Sequence, residues 1–250
     1  MQLAALLTVM TVYFAAKAVA VARGPAPHGV DLALFLTIWP GMRTGPFARR
    51  TAPADDRRLI RRGALVGGCG IAAWITLSRL PLTDEITGWL GVAVVLTTFH
   101  LGLADVITGG LRMRGHAVRR LFDDPLLSTT LRGFWSHRWN LAFVEMNQVV
   151  FLPWLRPVFG RHAIAAAFVL SGLLHELAIS LPVGAGFGLP TLYFCLHAAA
   201  VSVETRLRVH RWPVTWARLW TWAWLIVPLP LLFHRAFRDA LVLPLFGGLS

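Results

Sequence analysis

Long apolar runs separated by short, arginine-rich polar segments set the pattern of this chain. Leu3 to Val21 is the first run, and a Pro/Gly-rich loop from Arg23 to Gly29 ends it. Asp31 reads as the N-cap of a short apolar helix, Leu32 to Trp39, that Pro40 and Gly41 terminate. Crossing a bilayer takes about 20 apolar residues, so this piece is re-entrant or interfacial, with Trp39 near the headgroups. Gly63 to Leu80 and Ile86 to about Val106 form an outgoing and a returning span, joined by the short acidic connection Pro81 to Glu85. Leu141 to Trp154 is apolar but too short to cross and carries Glu145, Asn147 and Gln148; with Arg156 and Arg161 close behind, it reads as a buried or re-entrant helix. Ala163 to Leu181, Leu189 to Val203 and Thr215 to about Phe233 complete the set. The expectation is an all-α, polytopic helical membrane protein. It has about six transmembrane helices plus short re-entrant or interfacial helices, in one domain over residues 1–250, without repeat or linker.

Composition agrees. The chain has 250 residues, 56% of them hydrophobic, and a mean hydropathy of +0.61, beyond the roughly 45–50% apolar content of soluble domains. The alternating segments of a membrane barrel are missing from the pattern. A net charge of +12 would point to nucleic acid in a soluble protein. Here the arginines gather between apolar runs: seven from Arg43 to Arg62 against Asp55 and Asp56, and six more from Gly109 to Asn140. The positive-inside rule places both segments on the cytoplasmic side, the expected setting being a bacterial inner membrane, and no nucleic acid partner is expected. A secondary use is attraction of anionic lipid headgroups or cofactor phosphates, worth about 1 kcal/mol per basic residue. Lys17 is the only lysine, and the predominance of arginine among the basic residues is read as base-composition bias. Cys69 and Cys195 lie far apart without a CxxC pattern and read as packing residues. The first run lacks a basic leader and is taken as a retained helix.

Two polar islands interrupt the apolar background. In the first, a helix starting from Ser128 as N-cap puts Leu131, Phe134, Trp135 and Trp139 on one face and Arg132, Ser136 and Asn140 on the other. It fits an amphipathic helix at the membrane surface, yet Asn140 stands where the next apolar run begins, so its amide needs a buried partner or a substrate. In the second, Phe168, Ser171, Gly172, His175 and Ala178 share a helical face. Ser171 and Gly172 either permit close helix packing or leave a cavity beside the imidazole. An ionisable group at membrane depth costs roughly 2.5 kcal/mol or more when charged, so His175 with Glu176 asks for a functional reason. Glu176 points about a hundred degrees from His175 and is not its partner by adjacency. The HExxH zinc pattern fails because Ile179 stands at the second histidine position; no metal site is expected, nor is there a G-x-S-x-G elbow or a glycine-rich phosphate loop. His100 and His197 read as core histidines, although His197 is placed to line the same cavity, and Trp212, Trp216, Trp220 and Trp224 as a packing and anchoring stripe.

Phe134-Trp-Ser-His-Arg-Trp-Asn140, with His175 in an apolar helix 35 positions later, resembles the membrane-bound O-acyltransferase superfamily. The upstream Phe122-Asp-Asp-Pro-Leu-Leu-Ser-Thr-Thr-Leu and the string Ser171-Gly-Leu-Leu-His-Glu176 look most like its wax synthase branch, the long-chain-alcohol O-fatty-acyltransferases. The resemblance implies a single acyltransferase domain that moves a fatty acyl group from acyl-CoA to a lipophilic alcohol, with acyl-CoA as co-substrate and no other cofactor. It implies His175 as general base and Asn140 as its polar companion. Trp135, Arg138 and Trp139 would shape the donor's entrance, Arg138 meeting its phosphates, with Ser171 and Gly172 beside the substrate. The alternative from another class is a transporter or lipid-binding membrane protein in which His175, Glu176 and His197 relay protons.

Overall fold

The computed structural model describes residues 2–247, and every regular element among them is helical. Helices stand at all six places expected to span: Gln2–Arg23, Arg57–Leu77, Asp84–Met113, Ala163–His175 with its continuation Glu176–Ser180, Leu189–Leu207 and Val214–Ile226. Three stretches are long and apolar enough to cross a membrane by length and composition, namely Leu3–Arg23, Asp84–Met113 and Leu141–Ser180. Leu3, Leu7, Met10 and Phe14, at helical spacing on the first of these, are all exposed, a face suited to lipid. The chain is an integral membrane protein. The stretch Leu141–Ser180 joins the expected re-entrant helix to the next span. It bends at Gly160, whose φ of +49° suits glycine, and Leu152 and Leu155 fold back onto Ala163 and Ala167.

Contacts divide the chain into two compact units, Met1–Arg23 with Asp123–His234, and Gly24–Phe122 with Arg235–Ser250. In the second unit, small residues let two helices approach closely. A Cβ on Gly63 would meet the Gly102 carbonyl oxygen at 2.7 Å, and one on Gly102 would meet the Gly67 Cα at 2.6 Å. Several arginines of this unit have internal partners. Buried Asp105 takes Arg62 and, at 2.8 Å, Arg120; Arg112 reaches Asp56 at 3.1 Å. Two sequence expectations are corrected here. The arginine run does not stay in a loop but enters the first turns of Arg57–Leu77, where carboxylates offset the unfavourable end of the helix dipole. The short helix is Gly29–Thr37 with His28 at its N-cap. Asp31, in its first turn, instead binds Arg50 at 2.6 Å and His116 at 2.9 Å, and the Arg50 hydrogen bonds hold its carboxyl below the usual carboxylate range. Trp39 is only 1% exposed and packs near Phe47.

The first unit is built around the pairing of Ala163–His175 with Leu189–Leu207. Gly172 is the point of closest approach, since a Cβ there would fall 2.6 Å from the Thr191 Cα. Gln2–Arg23 packs on Asn147–Phe151 and Glu176–Ser180, which are π-helical turns. Its Arg23 donates to the Val149 and Val150 carbonyls at 2.6 and 3.2 Å and lies over the Trp154 ring. Carbonyls that a π turn leaves without an i→i+4 partner are thereby covered.

Replacing Gly172 by Ala is expected to lower the melting temperature in detergent by an amount equivalent to about 1–3 kcal/mol, because a backbone must move. Gly68→Ala, where a Cβ meets nothing within 4 Å, is expected to be neutral or stabilising by up to about 1 kcal/mol. Thermal unfolding of the two variants side by side checks the contrast.

Candidate active site

The aromatic string occupies a one-turn helix, Leu131–Gly133, and the π turn Phe134–Arg138. Its N-cap is Thr130, whose Oγ1 accepts from the Gly133 amide at 3.0 Å. Ser128 ends the preceding 3₁₀ turn, so the expected cap lies two residues early. The remaining orphan amides at this helix start are met from far away in sequence. Glu204 Oε2 accepts from the Leu131 amide at 2.5 Å, and Oε1 from the Arg132 amide at 3.1 Å. Glu204 is 4% exposed, and such a carboxylate at a helix N-terminus is favoured by both hydrogen bonds and dipole. In the sequence it belongs to a charged helix end and stands out no more than its neighbours. The signal that marks it is its position on the face of Tyr193, His197 and Ala200, at helical spacing.

Arg138 closes the string onto the upstream motif. Its Nη1 donates to the Asp123 and Asp124 carbonyls at 3.2 and 3.1 Å, and its own carbonyl accepts from the Asp123 amide at 2.8 Å. The guanidinium therefore holds the Asp-Asp-Pro turn in place. Trp139 stacks on Phe134 at 5.5 Å with 13° between the rings, and both belong to a core with Leu131, Ala200, Val201 and Leu225. Trp135 meets Phe194 at 5.6 Å and His197 at 5.3 Å. Phe134 is buried and Trp135 and Trp139 are partly buried against the same core, so the aromatic side of the string packs inside the first unit.

Asn140 adopts the left-handed region, φ 45° and ψ 60°, as N-cap of Leu141–Met146. Its Oδ1 accepts from the Phe143 amide at 3.2 Å. Asparagine tolerates this backbone better than most residues and is among the best caps. Because Oδ1 faces the amide, Nδ2 is turned away from the helix end, and no partner holds it among the described residues. Phe143 in turn lies 5.9 Å from the His175 ring. Asn140 and His175 are thereby linked through one aromatic side chain.

His175 is the last α-helical residue before the π turn Glu176–Ser180. Its Nδ1 lies 2.7 Å from the Ser171 carbonyl. A carbonyl only accepts, so Nδ1 carries the proton and the neutral ring presents the Nε2 lone pair. Phe194 covers one side of the ring at 4.5 Å, and the residue is half-buried. Ser171 contributes that orienting carbonyl, while its hydroxyl donates to Ala167. The space beside Gly172 is filled by Thr191, so of the two readings of these small residues close packing describes Gly172. Glu176 faces elsewhere, as its helical angle required. Its Oε1 accepts from the Gly188 amide at 2.9 Å, the Thr191 amide at 3.1 Å and the Thr191 hydroxyl at 2.9 Å, capping Leu189–Leu207. His100 packs on Phe122 in the other unit. Among the described residues no group of three or more His, Cys, Asp or Glu side chains is arranged to hold a metal ion.

Fold and site define a multi-spanning helical membrane protein with an oriented intramembrane imidazole. Residues 118–196 match the model described as the membrane bound O-acyl transferase family. Probable long-chain-alcohol O-fatty-acyltransferase 2 of Arabidopsis thaliana is 32% identical over 111 residues, 39% of this chain and 32% of that protein. Probable long-chain-alcohol O-fatty-acyltransferase 3 of the same plant is 30% identical over 137 residues, 48% of this chain and 40% of that protein. The long-chain-alcohol O-fatty-acyltransferase of Simmondsia chinensis is 31% identical over 93 residues, 33% of this chain and 26% of that protein. The chain thus spans about a quarter to two fifths of the length of these relatives. The family match contains both strings that carry the resemblance to the wax synthase branch, which is borne out over that segment; His197 and Glu204 lie just past its end.

Glu204→Ala leaves two amides of a buried helix start without acceptors. It is expected to destabilise the protein by about 2–4 kcal/mol, whereas Glu204→Gln, keeping one acceptor, should lose less. Chemical or thermal unfolding of both variants decides the order.

Proposed function

We propose that this chain is an O-acyltransferase that moves a fatty acyl group from acyl-CoA to a lipophilic alcohol, forming a wax-type ester. The observation that carries the proposal is the His175 Nδ1–H bond to the Ser171 carbonyl, inside the segment similar to the acyltransferase family. It leaves a neutral Nε2 as a proton acceptor within a hydrophobic wall. In this reading the alcohol hydroxyl gives its proton to Nε2 as its oxygen attacks the thioester carbonyl carbon. The C–S bond of the tetrahedral intermediate then breaks, and the departing thiolate takes the proton from the imidazolium. Asn140 Nδ2, turned outward by the cap that Oδ1 makes, donates to the oxyanion. Glu176, occupied as a helix cap, is poorly placed for the proton relay of a transporter. Arg138 Nη1 serves two carbonyls, which fixes the guanidinium, and its remaining N–H groups are the donors for the phosphates of acyl-CoA. The arginine-rich segments lie on the cytoplasmic side, where acyl-CoA is present.

His175→Ala is expected to lower kcat by about 10²–10⁴-fold without loss of fold. Asn140→Asp is the sharper test of the second role. It keeps the cap oxygen and the tolerance for a left-handed backbone while removing the N–H donor, and should lower kcat by about 10²–10³-fold with little change in acyl-CoA KM. Ester formation measured by lipid mass spectrometry with the purified variants checks both. Undiminished turnover in folded His175→Ala protein would overturn the assignment.

A further inference from the structure

His197 repeats the arrangement of His175 one turn below Phe194. Its Nδ1 donates to the Tyr193 carbonyl at 2.8 Å, so its Nε2 is likewise a bare acceptor. The residue is 0% exposed, and Nε2 has no hydrogen-bond partner among the described residues. The backbone of Trp224 also faces the ring, outside hydrogen-bond geometry from Nε2. The indole of Trp135 meets this imidazole edge to face, 5.3 Å between centroids and 87° between planes, and its Nε1–H is buried without an acceptor among the described residues. An orphan acceptor and an orphan donor therefore stand on two rings in contact. Buried polar groups are rarely left unpaired.

We infer that Trp135 and His197 form a hydroxyl-binding subsite, one aromatic ring removed from His175, that holds the O–H of a long-chain alcohol. A hydroxyl accepts from Nε1–H and donates to Nε2 at the same time. A carbonyl or ether oxygen serves only the indole, and an ammonium only the imidazole. Phe168, Phe194 and Tyr193 pack around Trp135, a surrounding that suits an alkyl chain attached to that hydroxyl. Trp135 belongs to a π turn, a metastable segment of the kind often found at sites that move, and entry of the hydroxyl requires the indole to shift. The inference rests on the proposed use of an alcohol acceptor. It assigns a binding position on the route to His175, and leaves the base at His175.

The test is equilibrium binding to the full-length protein in detergent, without acyl-CoA, of hexadecanol, hexadecyl methyl ether and hexadecane. These probes offer a donor and an acceptor, an acceptor only, and neither. Wild type and His175→Ala should bind the alcohol about tenfold more tightly than the ether, the value of one net hydrogen bond, and the ether more tightly than the alkane. His197→Phe should bring the alcohol-to-ether ratio to about one while keeping the ether's advantage over the alkane. Trp135→Phe should remove that advantage. Equal affinity of the wild-type protein for alcohol and ether overturns the subsite without any variant. An unchanged ratio in His197→Phe protein that melts like wild type also overturns it, and is the result expected if water or ring packing alone satisfies the pair. The preference without ester formation would sustain the subsite and sink the acyl transfer; ester formation without the preference would do the reverse.

Discussion

Two carboxylate caps hold the first unit together. Both involve the helix Leu189–Leu207. Near its start, Glu176 receives the Gly188 and Thr191 amides; near its end, Glu204 supplies acceptors for the Leu131 and Arg132 amides. The helix is thereby tied at one end to the residue after His175 and at the other to the beginning of the aromatic string. Thr191 and Glu204 are separated by roughly 20 Å of helix at 1.5 Å per residue, and Phe194 and His197 lie between them. That spacing explains why the string and the histidine, far apart along the chain, meet on the same stretch of one helix. Both carboxylates are buried, so no water stands ready to replace a lost acceptor, and these caps are harder to dispense with than a cap on an exposed surface.

The π turns belong to the same logic. His175 precedes one, Phe134–Arg138 is another, and Asn147–Phe151 a third. An inserted residue widens the turn and rotates the residues after it, while at its start His175 keeps its bond to Ser171 and Glu176 reaches the Gly188 and Thr191 amides. Each widened turn also disturbs the regular backbone ladder, and something must cover the loosened groups. Arg23 does this for Val149 and Val150. The first helix is in this sense a brace for the piece that starts at Leu141, which Asn140 caps and whose Phe143 touches the imidazole.

Much of this is legible in the sequence because it depends on local pattern. Apolar runs mark the six helices, and the small-residue face around Ser171 and Gly172 marks the close helix approach. The bond from Nδ1 to the carbonyl one turn back is a local event, as is the cap made by Asn140. The features that sequence pattern misses depend on distant partners. Asp31 has the composition of an N-cap, yet Arg50 and His116 compete for it successfully. Ser128 loses the cap to Thr130 because Glu204, over seventy residues away, fixes where that helix begins. Residue type places Trp39 at the interface, while Phe47 gives it a buried partner. No periodicity in a single chain reveals such pairings.

Lys17, the only lysine, has a setting that its frequency does not reveal. It is fully buried on the helix Gln2–Arg23, 5.5 Å from the Tyr13 ring centroid, with the charge of Glu145 acting on it. Glu145 is also buried, on Leu141–Met146. Two opposite charges inside a membrane protein gain their place mainly by fixing which elements meet, since removing one partner leaves the other uncompensated while the intact pair adds little net stability. The first helix packs on Asn147–Phe151, the turn that continues from the helix carrying Glu145. Asn140 starts that short helix and Glu145 lies near its other end, with Phe143, which meets the His175 ring, between them.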